Sequence, residues 1–159
     1  MRLAIAFGFF LLSLSFSLFA REIKVKVSLS PAGDFVGQST KVRGFVDKKG
    51  AEFTADELTI EVGQLKTGIE LRDKHFHERL GGEKAKIVVK GAKGSGGKGQ
   101  ASVTVNKITK PFSFSFKEAG GNVQARFDLK PSDFGISNVK YLGVGVEDKV
   151  VIDVTIPVR

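Results

Sequence analysis

Strict alternation of apolar and polar residues constrains this chain more than any other feature. In ELTIEV, Leu58, Ile60 and Val62 alternate with Thr59 and Glu61, and in EIKVKVSL, Ile23, Val25, Val27 and Leu29 alternate with Lys24, Lys26 and Ser28. The same period runs through KAKIVVKG, QASVTVN and NVQARFDL, and through VVIDVTIPV at the end of the chain. KPFSFSF puts Phe112, Phe114 and Phe116 on one side and Ser113 and Ser115 on the other. Successive side chains of a strand point to opposite faces, so each run has one face to bury and one to wet.

The connectors agree with an all-β reading. DKKG, GAKGSGGKG and KEAGGN are short and rich in glycine, which suits turns between antiparallel neighbours rather than long parallel crossovers. A less regular strand is expected in TKVRGFVD, broken at Gly44. One segment does not alternate. TGIELRDKHFHERL, with Ile69, Leu71, Phe76 and Leu80 at mixed spacings, reads as a short helix after Gly68. About eight strands, one helix and tight turns fit either a closed antiparallel barrel or a two-sheet sandwich, and alternation alone does not separate them.

Residues 1–20 read as a secretory signal peptide that is cleaved. Met1 and Arg2 precede an apolar run from Leu3 to about Leu12, and a softer Ser/Leu/Phe stretch leads to Ala20. Cleavage after Ala20 leaves Arg21 first; cleavage after Ser17, with Ser15 at −3, is the alternative, and an uncleaved anchor is the competing reading. The expected location is therefore periplasmic or secreted. The chain has no cysteine, so the domain over 21–159 has no disulfide to lean on and must be held by its own core.

The formal net charge is +8. Outside the cytoplasm such a balance suits solubility and loose attraction to anionic membrane surfaces or acidic partners. Readers of single-stranded nucleic acid set exposed aromatics among basic residues. Here there is one Tyr and no Trp, and the Phe residues fall on faces that read as buried, so no nucleic-acid partner is expected. GAKGSGGKGQ lacks the spacing of a phosphate-binding loop and precedes a strand.

Chemistry-bearing constellations are scarce. His75 and His77 could ligate a metal only with a carboxylate such as Asp73 or Glu78 completing the set, and a catalytic zinc takes three protein ligands. No nucleophile, base and orienting group are tied together by spacing, and the adjacent pair Asp56 and Glu57 faces apart on a strand. No catalytic residue, metal or resident cofactor is expected, and the chain reads as a non-enzyme.

LTIEVGQLKTGIELRDKHF resembles a signature of the YceI-like family, in which a strand runs into T-G-x-x-x-R-D-x-H, here Thr67, Gly68, Arg72, Asp73 and His75. KVRGFV, ITKPFSFSF, DLKPSDFGISN (with Ser132, Asp133, Phe134, Gly135 and Ile136) and LGVGVEDKVVIDVTIPV match further pieces of the family in the same order. After R-D-x-H this chain is shorter than the family pattern, and IKVKVSLSPAG replaces an early strand with two histidines. The resemblance implies an eight-stranded antiparallel lipocalin-like barrel with one short helix and an interior apolar tunnel. It also implies an exported protein that binds an isoprenoid lipid: a polyprenol, a polyprenyl phosphate or an isoprenoid quinone. A barrel of eight strands is about the size that is either filled by side chains or holds one small ligand.

The expected tunnel wall is Ile60, Ile87, Val103, Val105, Phe112, Phe114, Phe116, Phe127 and Ile152, with Phe134 capping one end. Arg72, Asp73 and His75 have two readings: a helix–barrel contact, or a head-group site at the mouth, where a guanidinium suits phosphate. The inward set would serve a hydrocarbon ligand and a solid core equally well. The alternative function is therefore a β-sandwich interaction module with a filled core and no ligand; a weaker one is a redox accessory presenting quinone to a membrane partner.

Overall fold

The computed structural model describes residues 20–141 and 143–159; the expected signal peptide, apart from Ala20, lies outside the described residues. The strands are β1 (Glu22–Ser30), β2 (Asp34–Ser39), β3 (Asp47–Lys49), β4 (Glu52–Glu61), β5 (Lys86–Ser95), β6 (Lys98–Val105), β7 (Ile108–Ala119), β8 (Asn122–Leu129), β9 (Lys140–Tyr141) and β10 (Val144–Pro157). Helix α1 (Glu70–Arg79) follows β4, and short 3-10 turns occupy Val62–Gln64 and Pro131–Phe134.

All strands belong to one sheet in the order β2-β1-β10-β8-β7-β6-β5-β4-β3, with the two-residue β9 added alongside β10. Every ladder is antiparallel. The sheet curls until its two ends meet. There the closure is made by isolated bridges, not by a ladder. Gln38 and Lys66 exchange backbone hydrogen bonds of 2.9 Å each, Arg43 and Thr59 exchange bonds of 2.8 and 3.0 Å, and Val46 pairs in parallel with Val158.

The described residues form ten strands, not eight: β2 and the two-residue β9 are added, and the less regular strand expected in TKVRGFVD is reduced to β3. TKVRGFVD yields two of these bridges and then the three-residue β3, because Gly44 sits at φ +113, outside any ladder geometry. β2 carries little alternation. Its inward positions include Gly37 and Ser39, and the ring of Phe76 from α1 occupies the space a side chain at Gly37 would take.

Along β5 the inward face passes from Ile87 and Val89 to Ala92 and Gly94. An extra residue between Lys90 and Lys93, relative to β6, makes the switch, with Gly91 at φ +62. A bulge with a left-handed glycine bends the strand there and tightens the curl. The main core holds Val25, Val27, Ala55, Ile60, Leu65, Val123, Ile152 and Ile156. A second cluster of Val103, Val105 and Phe134 is joined by Ile108, Leu129 and Leu80, the residue that follows α1.

Candidate functional site: an apolar cavity in the barrel

The rings of β7 form a ladder inside the curl. Phe112, Phe114 and Phe116 follow one another at centroid separations of 5.9 and 6.0 Å. Phe127 of β8 lies 4.4 Å from Phe112, and Phe53 of β4 meets Phe116 edge-on at 5.2 Å. Two glycines admit these rings. Gly94 and Gly99 are cross-strand partners on β5 and β6. A Cβ at Gly94 would lie 2.6 Å from the Phe116 ring, and a Cβ at Gly99 would collide with the ring of Phe114.

Between the rings and the opposite wall runs a cavity of about 90 Å³. Ile60, Ile87, Phe112, Phe114, Phe116 and Phe127 line it, with Phe53, Leu58, Val89, Val123, Val154 and Ile156 among the other wall residues. Thr54 and Thr59 are the only lining residues with a polar side chain, and the Thr59 hydroxyl donates to the exposed Glu57 carboxylate at 3.2 Å. Three residues expected on the wall, and Phe134, expected as a cap at one end, do not line this cavity. Val103, Val105 and Phe134 pack together in the second cluster, and Ile152 packs in the main core. Small-molecule sites run to roughly 300–1,000 Å³, so the space is narrow and a long tail would enter only by moving rings.

The helix closes one end. Phe76 packs edge-on against Phe35, centroids 5.9 Å apart, and Leu80 reaches both core clusters. The signature residues before and within α1 act locally. Asp73 accepts hydrogen bonds from the Thr67 backbone N–H and hydroxyl, 2.7 Å each, which tie the helix to the strand-to-helix turn. Partial desolvation pushes the Asp73 carboxyl up, but the two bonds from Thr67, with Lys66 and His77 nearby, outweigh it and hold the group below its usual range. The Arg72 guanidinium sits 5.0 Å from the centre of the Phe35 ring. His75 lies on the outer face of α1, its Nδ1 3.8 Å from a Glu78 carboxylate oxygen. Neither Arg72, Asp73 nor His75 lines the cavity.

The buried histidine is His77, which the sequence reading passed over in favour of His75. It is 1% exposed; its Nε2–H donates to the Leu65 carbonyl at 2.6 Å, and Nδ1 has no hydrogen-bond partner among the described residues. The nearest carboxylate to Nδ1, that of Glu83, is 3.8 Å away. Helical spacing held the signal, since Asp73, Phe76, His77 and Leu80 share one face.

The closing motif is also a local device. Gly135 takes the left-handed conformation that ends the Pro131–Phe134 turn. The Ser132 hydroxyl and N–H donate to Asp148 at 2.6 and 2.9 Å, which pins the turn to β10 and holds the Asp148 carboxyl below its ordinary value.

A curled antiparallel sheet around an apolar interior, with one helix across an end, defines a lipocalin-like β-barrel. The YceI-like domain model matches residues 20–158, and the chain belongs to the YceI-like family. Burkholderia cenocepacia BcnA has a similar crystal structure, with a TM-score of 0.60 at 16% identity over 84% of this chain and 94% of that one. A polyisoprenoid binding domain from Saccharophagus degradans, implicated in plant cell wall breakdown, superposes with a TM-score of 0.56 at 10% identity over 85% and 91% of the two chains. At these identities the likeness is one of fold. A comparison with curated protein sequences finds no match.

Proposed function

We propose that this chain is an exported, non-enzymatic binding protein that holds the hydrocarbon tail of an isoprenoid lipid inside its barrel. The observation that carries the reading is the cavity wall, apolar throughout except for Thr54 and Thr59. Each methylene taken out of water is worth roughly 0.8 kcal/mol, so a branched hydrocarbon tail needs no polar recognition there. The family and the polyisoprenoid-binding neighbour support the same class of ligand. The ligand is a polyprenol, a polyprenyl phosphate or an isoprenoid quinone, and the work is holding or carrying it.

The size of the cavity, about 90 Å³, favours a second reading: a filled core serving an interaction module. Two measurements separate the readings. The protein purified from an exporting host is extracted with organic solvent and the extract analysed by mass spectrometry. Its melting temperature is then followed across a panel of polyprenols and quinones. Co-purified isoprenoid, or a melting temperature that rises with lipid concentration, fits a ligand bound to the folded state. A clean extract with a flat melting temperature leaves the filled core.

A further inference from the structure

β7 and β8 pair only from Ala119↔Asn122 to Ser115↔Arg126. Phe114 and Phe127 are next in register, and the ladder stops before them. Each strand keeps its other neighbour: Phe112 and Phe114 pair with Ala101 and Gly99 of β6, and Phe127 pairs with Ile152 of β10. The sheet therefore opens along one seam, and across it the rings of Phe112 and Phe127 meet with centroids 4.4 Å apart, tilted 37°, where the ladder has ended.

Outside the seam lies a groove of about 960 Å³. Its polar wall comes from the outward faces of the same strands: Ser113 and Ser115 of β7, Arg126 and Asp128 of β8, Lys93 of β5 and Lys98 of β6. Phe114, Phe127 and Gly94 belong to the walls of both the groove and the inner cavity. Arg126 is held by Asp153 at 3.2 Å and Asp128 by Lys149 at 2.9 Å. Glu52 of β4 also lines the groove. Lys93, Lys98 and Glu52 make no ion pair among the described residues, so the two lysines leave the groove with a net positive excess over the one carboxylate.

We propose that this seam is the portal for an anionic amphiphile. The tail passes between Phe112 and Phe127 into the cavity. A phosphate head group stays in the outer groove, held by Lys93 and Lys98 with hydrogen bonds from Ser113 and Ser115. The inference rests on the lipid-binding reading above and adds to it where the ligand enters and what its head carries. It moves the head group away from Arg72, which lies at the α1 end and is stacked on Phe35.

The test uses two probes with one tail, geranylgeranyl phosphate and geranylgeraniol, titrated calorimetrically into the exported protein and into the double variant Lys93→Glu/Lys98→Glu. Both lysines are exposed, so the fold should survive the exchange. The wild type is expected to prefer the phosphate by about tenfold or more, as charge-assisted contacts to an anion would give. The preference should shrink as salt is raised. In the double variant it should fall towards one, with geranylgeraniol binding unchanged within about twofold. Inorganic phosphate at millimolar concentration should leave geranylgeraniol bound.

A double variant that keeps the preference, or a wild type with none, overturns the head-group site and leaves lipid binding standing. A wild type that binds inorganic phosphate as tightly as geranylgeranyl phosphate makes the groove a free-phosphate site and overturns the proposal too. A wild type that takes up neither lipid ends both readings. For the route, Phe112→Leu should speed uptake of geranylgeraniol several-fold in stopped flow, and an unchanged rate rules the seam out as the way in.

Discussion

The ring of Phe114 rests on Gly99, its cross-strand partner, so closely that the position has no room for a Cβ; a methyl there would also lie 2.7 Å from the Lys93 carbonyl oxygen. The carbonyl is backbone and cannot step aside as a flexible side chain would. Gly99→Ala should therefore destabilise the fold by about 1–3 kcal/mol, the usual range for overpacking. Urea unfolding of the variant measures it, and a loss well below 1 kcal/mol would mean that the Phe114 ring is free to swing into the cavity.

Phe116 joins β7 to Phe53 across the interior. Phe116→Ala removes a partly buried ring from the cavity wall, and in the empty protein it should cost about 2–4 kcal/mol. Geranylgeraniol should restore part of that loss, because a tail can fill the space the ring leaves. Unfolding curves with and without the lipid give the two values. A variant that lipid stabilises no more than it does the wild type argues against a tail in this part of the barrel.

His77 donates to the Leu65 carbonyl from a fully buried position. His77→Phe keeps the bulk and leaves that carbonyl without its donor, which should cost about 1–3 kcal/mol. His77→Gln, which can still donate, should recover part of it. Denaturant midpoints of the three proteins decide the matter, and equal losses for Phe and Gln would place the cost in packing rather than in the hydrogen bond.

Asp73 carries a pH dependence whose sign follows from its lowered pKa. The folded state holds the carboxylate ionised more strongly than the unfolded chain does. Its contribution is thus fully present above the ordinary value of 3.8 and is lost as pH falls through the lower folded value. Asp73→Asn should lower stability at neutral pH and flatten the acid limb. Unfolding free energies measured from pH 7 down to about 2.5 test this, and parallel curves for the two proteins would contradict it.

What the sequence disclosed followed from how much each residue says about itself. The alternation in KPFSFSF and VVIDVTIPV declared long strands, and both form, as β7 and β10. The helix after Gly68 was legible because its apolar residues abandon the period of two. β2 was not, since its inward glycine is defined by a ring from another element, Phe76, which local pattern cannot show. The wall positions at Ile60 and along β7 followed from face alone. Val103 and Val105 share that face but pack against Phe134 and Leu80, so their place depended on where the Pro131–Phe134 turn and the segment after α1 dock. The interruption between β7 and β8 left no mark in composition, because both strands alternate without a break.

The bridges at Gln38–Lys66, Arg43–Thr59 and Val46–Val158 have a mechanical consequence. Among the described residues, two isolated bridges tie Gln38 of β2 to Lys66, just past β4, and Arg43 to Thr59 of β4, and the third ties chain positions far apart in sequence. Local opening costs least where few backbone bonds must break together. Amides of residues 38–46 can then exchange with solvent well before those of β5 and β6, and the cylinder can loosen along one line while its far wall stays intact. Such a barrel behaves as a hinged shell, held least firmly along the line where the ends of its sheet meet.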